Sequence, residues 1–174
     1  LPLSASLPLL VVPWLLFEVF TNGEEIGWRG YVLPRLQANH NALVSSLIVG
    51  LIWAFWHIPK FMGTNPVAER SFGWFVVAHL ALSVLYTWLY NNTRGSLLLV
   101  THFHASGNTA GMFLPVSFAA PGGIMENVLI VLYILAAIVV TVVAGTQNLS
   151  RRVSRQIQEE YPIGDFSTHP ESAV

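Results

Sequence analysis

Residues 128–144 read VLIVLYILAAIVVTVVA, seventeen positions without a charged group. A helix of that composition is apolar around its whole circumference. It needs either complete burial in protein or a lipid solvent. About 20 apolar residues, rising ~1.5 Å each, cross the ~30 Å hydrocarbon core of a bilayer. The stretch therefore reads as a membrane helix.

The same texture recurs upstream. Leu7–Phe20 is apolar and continues toward Gln37, and Ala42–His57 runs until Pro59 stops it. Phe72–Tyr90 and Ser96–Pro115 follow. The breaks are Asn39-His40-Asn41, Gly63-Thr64-Asn65-Pro66, Asn91-Asn92-Thr93-Arg94 and Pro121-Gly122-Gly123, all rich in turn formers. The expected fold is all-α, a multi-pass transmembrane helix bundle of about five spans. It forms one domain over residues 1–150, followed by a polar cytoplasmic tail over 151–174. The chain opens on Leu1, which leaves room for further helices upstream. Its first residues lack the basic flank of a signal peptide.

Composition agrees. Charged residues make up 10% of the 174, against about 25% in soluble domains. A net charge of −1 argues against nucleic acid as a partner. No cysteine is present, which excludes disulfide scaffolds, thiol nucleophiles and thiolate-bound zinc. Alternating helices place Arg35, Arg94, Arg151, Arg152 and Arg155 on one side, with Lys60 and Arg70 on the other. Basic residues favour the cytoplasm, so the Asn39 and Asn92 turns and the C-terminus are expected there.

Ionisable groups in apolar segments are costly and each needs a reason. Here they are Glu18, Glu24, Glu25, Arg29, His57, His79, His102 and His104, with Asn108 as an uncharged companion. Glu25 and Arg29 have the i,i+4 spacing at which side chains meet, leaving Glu24 for chemistry. Taken alone, they also fit a salt-bridged helix start. Counting ~1.5 Å per residue from the Asn39 turn puts Glu24 about 21 Å and His57 about 23 Å along two antiparallel arms. From the Arg94 turn, His104 lies about 15 Å and Asn108 about 21 Å along a third. A carboxylate pair, two imidazoles and an amide thus reach similar heights, provided that the helices are unbroken. Gly23, Gly27, Gly30 and Pro34 work against that condition. His104 and Asn108 share a face and also fit polar glue between helices. His79 reads as a structural histidine, His102 points to another face, and Trp53, Phe55 and Trp56 read as packing or lipid-facing groups. Glu18 is a lone carboxylate lining the cavity or meeting the membrane surface. Glu69 and Arg70 read as a solvated loop pair.

Glu24-Glu25-x-x-x-Arg29-Gly30, then Trp53-Ala54-Phe55-Trp56-His57, then His104-x-x-x-Asn108, resemble the three motifs of the CPBP family. These are the CAAX proteases and bacteriocin-processing enzymes, also called Abi, which include the Ras-converting type of CAAX prenyl protease. The resemblance covers about Gly23 to Asn108. It departs where Trp53 stands in place of the commoner phenylalanine. It implies an intramembrane endopeptidase acting on membrane-associated, prenylated or bacteriocin-like peptides. Glu24 is then the general base for water and His57 its assistant. His104 and Asn108 stabilise the oxyanion, and Glu25 with Arg29 orients the site. No cofactor is expected. The competing chemistry is a metalloprotease with zinc on Glu24, His57 and His104, although the His-Glu-x-x-His helix motif is lacking. Buried carboxylates and imidazoles also serve non-catalytic immunity or membrane-binding proteins and small proton-coupled transporters. The location implied is the plasma membrane of a prokaryote.

Overall fold

The computed structural model describes residues 3–63, 70–113 and 123–150, with side chains from Leu10 onward. Parts of the Gly63 and Pro121 turns, Glu69, Pro115 and the tail with Arg151, Arg152 and Arg155 lie outside these residues. Every regular element described is helical. They are α1 (Leu3–Thr21), α2 (Glu24–Gly27), a π-helical turn (Trp28–Val32), α3 (Leu33–Gln37), α4 (Ala42–Trp56), α5 (Ile58–Phe61), α6 (Phe72–Asn92), α7 (Leu97–Phe113) and α8 (Ile124–Ala144).

The all-helical expectation holds, and of the about five spans expected the described residues show fewer that are clear. Among the described residues, two helices are long and apolar enough to cross a bilayer, α6 and α8; α4 is apolar but has 15 residues. The first expected segment, Leu7–Phe20, lies within α1, but its continuation toward Gln37 is not the same helix. The helix breaks at Asn22-Gly23, and α2, the π turn and α3 form a separate arm. Proline explains the π turn. Pro34 has no N–H to donate to Gly30, and its ring crowds that carbonyl. The helix widens just ahead of it, and Leu33 N donates to Trp28 O five residues back.

The helices meet where side chains are small. A Cβ on Gly50 would lie 2.9 Å from Ser83 Cβ and 3.0 Å from the His79 carbonyl oxygen. This brings the backbones of α4 and α6 together, the close approach that small residues permit in lipid. The two helices run antiparallel. The Phe55 and Phe72 rings lie 5.6 Å apart at one end. At the other end, Ala42 N donates to Gln147 O at 2.8 Å and Leu43 N to Thr146 O at 3.1 Å. Those carbonyls satisfy amides that a helix start leaves without partners. Asn41 caps a further one through Val44 N. Asn91 and Asn92 of α6 reach the same segment, donating to Asn148 O and Leu149 O. Gly145 makes the turn out of α8 at φ +78°, a conformation that suits glycine.

The turn at Asn39, the end of α6 and residues 145–150 therefore share one end of the bundle. His57 and Lys60 lie at the other. On its outward side α8 presents Leu132, Leu135, Val139 and Val142, each more than half exposed. Lipid removes the cost of that surface. The architecture is consistent with a helical membrane protein. Arg70 is not a free loop residue. Its Nε lies 3.3 Å from Oε1 of Glu126 on α8.

Adding a methyl group at Gly50 forces α4 and α6 apart. Gly50→Ala is expected to lose about 1–3 kcal/mol by thermal unfolding in detergent, while Gly111→Ala, whose Cβ meets nothing within 4 Å, keeps the wild-type midpoint or exceeds it slightly. The absence of native cysteine makes single-cysteine labelling clean. In sealed vesicles a membrane-impermeant maleimide is expected to reach Lys60→Cys and Arg94→Cys from opposite sides. Labelling of both from one side contradicts the antiparallel layout.

Candidate active site

Glu25 and Arg29 both have 0% exposure, and Arg29 Nη1 donates to Glu25 Oε1 at 3.0 Å. The i,i+4 contact survives across the π turn. Arg29 Nη2 reaches Ser83 Oγ on α6 at 3.3 Å. Its guanidinium carbon sits 4.5 Å from the Tyr86 ring centroid and 5.0 Å from that of Trp53. Aromatic faces partly replace the water that the cation has lost.

The same Glu25 Oε1 takes a second hydrogen bond, from His104 Nδ1 on α7 at 2.8 Å. A carboxylate only accepts, so Nδ1 carries the proton and Nε2 is left for other partners. Oε2 of Glu25 has no hydrogen-bond partner among the described residues.

His57 Nδ1 donates to the carbonyl of Trp53 at 2.8 Å. That carbonyl is left over by the helix end ahead of Pro59. The bond sets the tautomer, and Nε2 keeps its lone pair. Trp53 is 3% exposed, and its indole Nε1 donates to Glu24 Oε2 at 2.8 Å. Glu24 is partly buried, and its Oε1 has no partner among the described residues.

His57, His104 and Asn108 open onto one cavity of about 560 Å³, whose wall also includes Trp53, His79 and Tyr86. Glu24 adjoins this wall through Trp53 and is not part of it. Asn108 Nδ2 donates to Glu18 Oε2 at 3.0 Å.

The structure thus joins Glu25, Arg29 and His104 directly. It joins Glu24 and His57 through Trp53, and sets Asn108 on the cavity rim. Trp53, treated above as a packing group, connects the two motifs, whereas Phe55 and Trp56 do face outward. His79 is hydrogen-bonded within its helix, to Phe75 O at 2.8 Å. It is more than structural in position, since its ring lies 4.4 Å from Trp53 and 5.3 Å from His57. The signal for it was the 79, 83, 86 spacing on α6, which lines up His79, Ser83 and Tyr86 on one face. His102 is exposed and outside the cavity wall.

Among the described residues, no three His, Asp or Glu side chains form a metal-binding group.

If Glu25 and Arg29 are one buried unit, removing the cation alone strands a charge. Arg29→Met is expected to cost about 3–5 kcal/mol in the same unfolding assay. Glu25→Gln/Arg29→Met is expected to be less destabilised than Arg29→Met alone. Simple additivity of the two single effects contradicts the coupling.

The family model "Type II CAAX prenyl endopeptidase Rce1-like" matches residues 4–110. "CAAX prenyl protease 2" of Methanococcus maripaludis is 31% identical over 88 residues, which are 47% of this chain and 32% of that protein. "Lysostaphin resistance protein A" of Staphylococcus haemolyticus is 27% identical over 121 residues, 64% of this chain and 29% of that protein. The chain spans about a third of the length of these relatives. No solved structure gives a significant match.

Proposed function

We propose, from the premise that this chain belongs to the Rce1-like family of type II CAAX prenyl endopeptidases, that it carries the catalytic site of an intramembrane endopeptidase. The observation that supports this most is the pair of imidazoles, His57 and His104, each committed at Nδ1 and each opening onto the same cavity.

In this reading Glu24, held at Oε2 by Trp53, uses Oε1 to take a proton from water. His57 aligns that water through its Nε2 lone pair. The resulting hydroxide attacks the scissile carbonyl. The oxyanion is met by an N–H of Asn108 and by His104. Because Nδ1 of His104 is bound to Glu25, its Nε2 donates only when both ring nitrogens carry a proton. Donors fixed in a site poor in water act strongly on developing charge. The intermediate then collapses, and Glu24 returns its proton to the leaving amine. Glu25 and Arg29 hold the geometry, and no step passes through a metal.

The substrates in this reading are membrane-associated peptides, including prenylated or bacteriocin-like ones. The location is the plasma membrane of a prokaryote with the C-terminus in the cytoplasm. The likeness to a protein named for lysostaphin resistance supports a second reading, an immunity function that does not depend on cleavage.

The test is cleavage of quenched membrane-peptide substrates, a farnesylated CAAX peptide among them, by purified protein in detergent. Glu24→Gln is expected to lower the rate by about 10²–10⁴-fold, the contribution of a general base. Wild-type activity is expected to survive a strong zinc chelator. Loss with the chelator moves the chemistry to a metalloprotease. Resistance in cells that persists in Glu24→Gln favours the immunity reading.

A further inference from the structure

Glu18 has no role in the site described so far. It lies within the apolar helix α1, where a carboxylate is costly. Its Oε2 accepts from Asn108 Nδ2 at 3.0 Å across 90 residues of sequence. One turn earlier on α1, the Trp14 ring meets Phe113 of α7 edge-on at 6.3 Å. Positions 14 and 18 of α1 thus pack on 113 and 108 of α7, and the two contacts set the antiparallel register of these helices.

An asparagine amide can sit in two orientations that differ little in shape and exchange its donors for its acceptor. Of the two, the one observed gives one N–H to Glu18 Oε2 and keeps the second for an oxyanion in the cavity that Asn108 lines. The Glu18 carboxylate selects between them. With Nδ2 turned toward Glu18, one N–H is bonded and the second remains. The flipped amide sets Oδ1 against a carboxylate oxygen, acceptor against acceptor.

We infer that Glu18 is a positioning residue, one that fixes the orientation of the Asn108 amide at the cavity rim. This rests on the endopeptidase reading above. Glu18 touches no substrate and acts through Asn108 alone. A contact that served only to hold α1 on α7 would affect stability and leave the kinetics of Asn108 untouched.

The experiment combines kinetics with an amide readout that needs no turnover. Glu18→Leu is expected to lower kcat by about 10–100-fold with KM little changed, part of what losing an oxyanion donor or misplacing it costs. Glu18→Gln, which keeps an acceptor oxygen, is expected to restore most of the rate. Glu18→Leu added to Asn108→Ala is expected to cost nothing more. In protein labelled with ¹⁵N-asparagine, the Asn108 side-chain resonance, identified by its loss in Asn108→Asp, is expected to shift in Glu18→Leu and to stay near its place in Glu18→Gln. An unshifted resonance overturns the inference, as does a full additional loss in the double variant. Those results leave wild-type cleavage intact and the endopeptidase reading standing. A wild-type protein that cleaves nothing, with the resonance shift present, removes that reading and this role together.

Discussion

One carboxylate oxygen organises this molecule. Glu25 Oε1 accepts from Arg29 at 3.0 Å and from His104 at 2.8 Å, and Glu25 is fully buried. Through Arg29 the link extends to Ser83, so three separate parts of the chain converge on it: the arm after α1, helix α6 and helix α7. A buried ion pair is not by itself a strong source of stability, because both partners surrender hydration. Its value here is orientation. Once Glu25 is held, the face that His104 shows to the cavity is decided.

The surrounding bundle meets the demands of that arrangement. Gly50 lets α4 lie against α6 closely enough for Trp53 to reach His79 and Tyr86. Pro34 forces the wide turn that separates the carboxylates of α2 from the start of α3. The segment 145–150 closes the far end by accepting from both α4 and α6. The cavity-lining histidines lie away from that end, which carries the structural hydrogen bonds.

Much of this was legible in the sequence where the relation is local. The Glu25–Arg29 contact follows from helical spacing, as does the shared face of His104 and Asn108. Helix ends fell within a few residues of the turns that the sequence marks, apart from the break at Asn22-Gly23. Counting rise along each arm placed the groups at similar heights, but height leaves rotation open. Adjacent residues on a helix point about 100° apart. Whether Glu24 or Glu25 meets His104 therefore depends on the phase of the arm, and the π turn alters that phase. The roles of Trp53, His79 and Ser83 are likewise tertiary, since each depends on which face of α4 or α6 is turned inward. Membrane crossing was harder to read still, because polar positions interrupt α7 and shorten the apolar run of α4.

The most direct test is the imidazole spectrum of His104 in ¹⁵N-histidine-labelled protein. A protonated Nδ1 with a strongly downfield, slowly exchanging proton, lost in Glu25→Gln while the His57 signals persist, is the predicted result. A His104 ring whose Nδ1 proton exchanges freely and does not respond to Glu25→Gln contradicts the account.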